Sequence, residues 1–140
     1  MLKSISRNPV KVSADMPVSE VAARMSSRRA DNAIVVDAED HPIGIFTEAD
    51  MAKRIISRGA NISTPVEKVM TKRLVMVDTS ETVVCAFEKM HRSNIHHLPL
   101  TNKAGKLVGS VAYTDIARIV NSRLYLGETM MSDQIPSSDE

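Results

Sequence analysis

The chain has a single cysteine, Cys85, no tryptophan, and only two tyrosines and two phenylalanines in 140 residues. One cysteine excludes an intrachain disulfide and favours a reducing, cytoplasmic setting. Beside the core face of a helix, Cys85 reads as a small buried hydrophobe rather than a nucleophile. Long apolar runs are also missing: none approaches the ~20 residues needed to span a bilayer. Met1 to Ser6 holds no run of signal-peptide length, so neither a membrane nor a secretory leader is expected. Charge of one sign is missing too. The formal net charge is +1, which gives no general attraction to nucleic acid or membrane. The short basic pairs Arg28-Arg29 and Lys72-Arg73 read as solvated surface. Nucleic-acid binding would need a basic face and would weaken steeply with salt. No Gly-x-x-x-x-Gly-Lys loop, Gly-x-Gly-x-x-Gly turn or cysteine ligand cluster occurs, so the common nucleotide-hydrolysing, dinucleotide and zinc motifs are absent. The chain reads as non-enzymatic, with no obligatory cofactor.

What is present is one pattern, written twice. A shift of 65 residues aligns Val10 and Val12 with Val75 and Val77, Val18 with Val83, and Met25 with Met90. The same shift brings Gly44 onto Gly109, Asp50 onto Asp115 and Ala52 onto Ala117, without a gap. Such internal repetition decides the architecture before any single motif does. Each copy opens with a short β-type run, Pro9 to Val12 or Leu74 to Val77. An amphipathic helix follows, with apolar residues at i, i+3, i+4 and i+7: Val18, Val21, Ala22 and Met25, then Val83, Ala86, Phe87 and Met90. Two strands joined by a turn come next, Ala33 to Val36 with Ile43 to Phe46, and Leu98 to Leu100 with Leu107 to Val111. A closing helix is predicted to bury Met51, Ala52, Ile55 and Ile56, or Ile116, Ala117, Ile119 and Val120.

A β-α-β-β-α unit of roughly 55 residues is too small to cover both sheet faces alone. Two units packed through their sheets would do so, giving an α/β (α+β) fold with pseudo-twofold symmetry. The expected organisation is repeat 1 over 1–58, a linker over 59–65 with Gly59 as a helix C-cap, repeat 2 over 66–122, and a polar, mobile tail over 123–140. The nine methionines point to an adaptable aliphatic interior.

The chemistry concentrates where the last strand meets the last helix. Thr47 is placed as an N-cap with Glu48 and Asp50 in the first turn. That spacing describes first of all a well-capped helix; the functional alternative is a pocket in which a helix N-terminus and a hydroxyl meet an anion while a carboxylate one turn on receives a ribose diol. His91, His96 and His97 do not form a metal site, because neighbouring strand residues point to opposite faces. His41 lies in a turn and reads as solvated.

Three motifs carry a resemblance: the Gly-hydrophobic-hydrophobic-Thr-x-x-Asp ending of the first copy with its partial counterpart Gly109-Ser110-Val111-Ala112-Tyr113-Thr114-Asp115 in the second, the Ile95-His96-His97-Leu98-Pro99-Leu100 strand, and Lys68-Val69-Met70-Thr71 before the β-type run of the second copy. Over about residues 1 to 122 the chain resembles the tandem cystathionine-β-synthase (CBS) domain, or Bateman module. The resemblance implies two clefts related by the pseudo-twofold, each taking its aspartate from one repeat and its adenine-facing wall from the other. The first would use Asp50 and Thr47 for ribose and phosphate oxygens and Met70, Val75, Ile95 and Pro99 for the base, with His96 and His97 near the phosphate. Arg92 and Lys72 would lie close by. The second would use Asp115 and Thr114, walls from Ile5, Val10, Ala30 and Val111, and Asp31 where the first has His96. Ala112 replaces the hydroxyl that Thr47 supplies. A carboxylate at Asp31 about 5 Å from a phosphate would repel it by roughly 3 kcal/mol at an effective dielectric near 20. The first cleft is therefore expected to prefer AMP, ADP or ATP, and the second to be empty or to take adenosine or S-adenosylmethionine. The implied function is a regulatory sensor of an adenine nucleotide, acting in trans on a protein target as a homodimer; Met25, Met51 and Met90 are read either as part of its surface or as monomer core. A scaffold that has lost ligand binding is the alternative.

Overall fold

A computed structural model describes residues 2–131, and side chains through Ser122. After a short helix α1 (Leu2–Ile5), the first repeat runs β1 (Lys11–Ser13), α2 (Val18–Ser27), β2 (Asn32–Val36), β3 (Pro42–Thr47) and α3 (Glu48–Asp50), which continues as a π-helix (Met51–Ile56). A 3-10 turn (Val66–Lys68) leads into β4 (Val77–Asp78), α4 (Val83–Ser93), β5 (His97–Thr101), β6 (Leu107–Ala112) and α5 (Tyr113–Met131). The strands form two three-stranded sheets, β1-β2-β3 and β4-β5-β6. In each, the first pair is parallel and the second antiparallel. This is the mixed α/β fold that the repeat predicts. Even the irregularities recur: the register slips at Val35/Val36 and again at Leu100/Thr101.

Helices form where the apolar spacing places them. Val18, Val21 and Met25 of α2 are buried, as are Val83, Ala86 and Met90 of α4. Thr82 caps α4 by accepting a hydrogen bond from the Cys85 N–H at 3.0 Å. The closing helix of repeat 1 departs from expectation. Its π-helical turn spaces inward positions more widely than an α-helix does. Ile55 is buried, while Ala52 is exposed and Ile56 is 77% exposed. Gly59, at φ +62°, follows as the expected helix terminator. In repeat 2 the closing helix continues to Met131, into what the composition presents as tail; residues 132–140 of that segment lie outside the described residues. Among the described residues no helix is long and apolar enough to cross a membrane.

The halves are joined by exchange of their lead-in segments. Thr71, ahead of the first strand of repeat 2, exchanges two backbone hydrogen bonds with Ile45 on β3, at 2.9 and 2.8 Å. Arg7, ahead of the first strand of repeat 1, does the same with Ser110 on β6, at 2.8 and 2.9 Å. Side chains cross with the backbone. Val66 and Met70 are buried in the core of repeat 1, while Leu2, with Ile5 packed beside it, belongs to the core of repeat 2. Each crossing passes over a glycine. A Cβ on Gly109 would lie 2.7 Å from Ser6 Oγ, and one on Gly44 would overlap the Met70 side chain. The two hairpin turns also meet, the Leu107 N–H donating to the Asp40 carbonyl at 2.9 Å. His41 sits in that contact, 3.1 Å from the Ala104 carbonyl and 3.3 Å from Asp37 Oδ2, half-buried rather than solvated.

One carboxylate fixes the turn between β4 and α4. Glu81 accepts from the Asp78 N–H at 3.0 Å and the Cys85 thiol at 3.0 Å, and pairs with Lys89 Nζ at 2.8 Å. Burial pushes this carboxyl up, but the Lys89, Cys85 and Asp78 donors outweigh it and bring it to about 2 from an ordinary 4.5. A carboxyl depressed in the folded state stabilises it above the unfolded value and loses that contribution as pH falls through the folded one. Urea titrations of wild type and Glu81→Gln should therefore show a stability gap that is constant above pH 4.5 and closes towards pH 2. A gap that does not change with pH contradicts this role.

Candidate functional site

Two clefts lie between the repeats, on either side of a shared partition made by Asp31, His96 and His97, which border both. Asp31 Oδ1 stands 3.1 Å from His97 Nε2 and accepts from Asn32 Nδ2 at 3.0 Å. Burial pushes the Asp31 carboxyl up, but Asn32 and His97 bring it below its ordinary value.

The first cleft encloses about 440 Å³, within the usual range for small-molecule sites. Ile45, Leu74, Val75, Ile95 and Pro99 supply apolar surface, and Thr47, Thr71, Arg73 and Asn94 supply polar atoms. At its floor is a capping box. The Thr47 hydroxyl accepts from the Asp50 N–H at 3.2 Å, and Asp50 Oδ2 accepts from the Thr47 N–H at 3.0 Å. The reciprocal pair satisfies two backbone donors at the start of α3. Asp50 Oδ2 also accepts from the Thr47 hydroxyl at 3.2 Å, while Oδ1 accepts from the Thr71 hydroxyl at 3.2 Å and lies 3.4 Å from Arg54 Nε. Arg54 further donates to the Met70 carbonyl at 3.0 Å. Asp50 is only 7% exposed. It lies beneath the two threonines, which are what the cleft presents.

The second cleft, of about 450 Å³, differs in kind. Arg7, Asn8, Arg28, Arg29, Asn32 and Thr114 border it, with Val10, Ala30, Ala112 and Tyr113. Arg7 Nε and a terminal nitrogen donate to the two Asp115 oxygens at 2.9 and 3.0 Å, and Arg118 lies 3.5 Å away. Arg7 is the chief reason the Asp115 carboxyl is held below its ordinary value, and Asp115 in turn raises the guanidinium.

The structure thus brings Thr47, Val75, Ile95, His96, His97 and Pro99 to the first cleft, and Val10, Ala30, Asp31 and Thr114 to the second. Met70, Ile5 and Val111 lie in the cores instead; Met70 and Ile5 are drawn there by the crossed lead-ins. Asp50 and Asp115 sit one layer behind the cleft surfaces. Arg73, rather than Lys72 or Arg92, borders the first cleft. The charge argument against phosphate in the second cleft does not hold: Asp31 faces both cavities, is paired with His97, and three arginines line the second. Met25 and Met90 are core residues, 2% and 1% exposed, and form no outer surface, while Met51 packs against the core and stays partly exposed.

Sequence reasoning does not find several of the cleft residues, among them Thr71, Arg73, Arg28, Arg29, Tyr113 and Arg7. Tyr113 stacks on Phe87 with centroids 5.9 Å apart and meets the edge of His96 at 5.6 Å; its signal is an aromatic ring where repeat 1 has Glu48. Arg7 was missed because the 65-residue shift pairs Ser6 with Thr71, whereas the backbone puts Arg7 in that place. Asp37, Glu39 and His41 bring three possible metal-ligand atoms within 4.8 Å in the β2–β3 turn. None of the three histidines weighed from sequence belongs to that group.

Two sheet-and-helix repeats enclosing paired clefts define the class, and sequence comparison names it. The CBS domain profile matches residues 2–57 and 66–122, and the chain belongs to the CBS domain family. An uncharacterized 17.7 kDa protein of Acidianus ambivalens is 34% identical over 107 residues, covering 76% of this chain and 64% of that protein. The chain spans less than two thirds of the length of the first curated relatives it matches. Among solved structures, CBS domain protein PAE2072 from Pyrobaculum aerophilum complexed with AMP is 26% identical with a TM-score of 0.72, over 81% of this chain and 88% of that one. The CBS domain pair of protein MJ0100, in complex with 5′-methylthioadenosine and S-adenosyl-L-methionine, is 25% identical with a TM-score of 0.75, over 86% and 98%.

Proposed function

We propose that this chain is a regulatory sensor that binds an adenosine-containing ligand in the Thr47 cleft and acts in trans on a partner protein in the cytoplasm. The observation that carries this reading is the opposition, across one cavity, of an apolar wall from repeat 2 and two threonine hydroxyls, Thr47 at a capped helix start and Thr71 on the crossed lead-in, that both donate to Asp50. Val75, Ile95 and Pro99 offer a slot for a purine. Thr47 and Thr71 can address the ribose, and Arg73, His96 and His97 surround the place for a phosphate. The AMP held by one relative and the S-adenosylmethionine and methylthioadenosine held by another support an adenosine ligand. AMP, ADP and ATP are the ligands of first choice, with Arg73 as the fixed cation of a lining that also holds the Asp31 and Glu48 carboxylates. Binding shifts a conformational equilibrium only by its differential affinity for two states, and a cleft built from both repeats offers that lever. A homodimer is part of the proposal, with exposed Ile56 and Val84 as the outward apolar side chains of the helices.

Thermal unfolding with AMP, ATP, adenosine and S-adenosylmethionine tests the reading. At 100 times its dissociation constant a ligand should stabilise the fold by about 2.7 kcal/mol, a clear rise in Tm. Sedimentation of the same samples should give twice the 15.4 kDa of the chain. No response to any of the four compounds favours the scaffold instead, and a monomeric mass removes the dimer.

A further inference from the structure

The second cleft has lost the features that read a nucleoside and gained features that hold phosphate. Thr71, which donates to Asp50 in the first cleft, is replaced at the same backbone position by Arg7, which occupies both oxygens of Asp115. Thr47 becomes Ala112, and Ile95 of the apolar wall becomes Ala30. A ribose diol would have to displace a bidentate guanidinium to reach Asp115. In the opposite direction, Ser93 and Asn94 become Arg28 and Arg29. Arg29 adopts a left-handed backbone, φ 52°, as Asn94 does at φ 53°. Asparagine tolerates that conformation and arginine does not favour it. Among the described residues Arg29 has no ion-pair partner, and the Arg28 guanidinium donates only to the Asn8 carbonyl, at 3.0 Å. The surroundings hold Arg7, Arg28, Arg29 and Arg118 against Asp31 and Asp115, four positive groups to two negative ones.

We propose that the second cleft is an anion site for a di- or triphosphate group, held by Arg28, Arg29 and the outward face of Arg7, without recognition of a nucleoside. Guanidinium groups match phosphate oxygens two at a time, which a lysine or a histidine does not. Arg7 can contribute while still paired, because its side chain is 63% exposed. The group can arrive as free polyphosphate or as the tail of a nucleotide; the chemistry recognised is the same. This inference stands independently of the ligand assigned to the first cleft.

The test is calorimetric titration of the full chain with sodium tripolyphosphate, adenosine and ATP, in wild type and in the double variant Arg28→Ser/Arg29→Asn. That variant installs the residues standing at the matching positions of repeat 2, and Asn suits the left-handed backbone, so the fold is expected to persist. Wild type should bind tripolyphosphate, saturating adenosine should not compete with it, and ATP should. The double variant should lose about tenfold or more of tripolyphosphate affinity with adenosine binding unchanged. Absence of tripolyphosphate binding to wild type, equal affinity in the variant, or displacement by adenosine overturns the proposal. Failure of adenosine alone to bind counts against the first-cleft reading and leaves this one standing.

Discussion

Asp50→Ala should lower the unfolding free energy by about 3 kcal/mol and abolish AMP binding, a loss far larger than Asp115→Ala produces. The buried Asp50 carboxylate takes hydrogen bonds from the Thr47 N–H, the Thr47 hydroxyl and the Thr71 hydroxyl, and faces Arg54 at 3.4 Å. Removing it deletes half of a capping box, worth about 1 kcal/mol, and takes the shared acceptor from the Thr47 and Thr71 hydroxyls and from Arg54. Asp115 is paired instead with an Arg7 that is 63% exposed, and pairs open to solvent contribute about 1 kcal/mol or less. A carboxylate has about four acceptor sites, and those of Asp50 are already engaged. A ribose can therefore reach it only if Thr47 or Thr71 turns its hydroxyl towards the ligand. Urea denaturation and AMP titration of both variants decide the matter. Equal stability losses would show that the two aspartates are not differently seated.

The second large effect concerns the crossing of the halves. Gly44→Ala should cost about 2 kcal/mol, because the new methyl overlaps the buried Met70 side chain. Met70→Ala should cost 2–5 kcal/mol as a cavity mutation. The double variant should be less destabilised than the sum of the two, by about 1–2 kcal/mol, since each change makes room for or fills the other. Simple additivity in denaturation midpoints would mean that the lead-in to repeat 2 does not pack on β3.

Both predictions depend on features of unequal legibility. Four of the six strands and the two amphipathic helices follow from short-range periodicity, which is why Val18, Val21 and Met25, or Val83, Ala86 and Met90, are buried as spaced. The opening strands start later than expected, β1 at Lys11 and β4 at Val77, so that β4 shares only Val77 with the expected 74–77 run. The Thr47–Asp50 box was readable for the same reason: its partners are three residues apart. The crossed lead-ins were not. Leu2, Ile5, Val66 and Met70 lie in segments too short to show a period, and each finds its core in the other half of the chain. The Arg7–Asp115 pair spans 108 positions, and the gap-free register conceals it by one residue. The π-helical turn at Met51–Ile56 re-phases a helix whose sequence reads as ordinary α, turning Ile56 to solvent.

The central claim is that a purine nucleoside lies between the Thr47 helix start and the Val75–Ile95 wall. A crystal structure grown with AMP tests it most directly: the base should rest against Val75, Ile95 and Pro99, with the ribose within hydrogen-bond reach of Thr47 or Thr71. A cleft found without nucleotide at saturating AMP, or AMP seated over Arg7 and Asp115 alone, contradicts it.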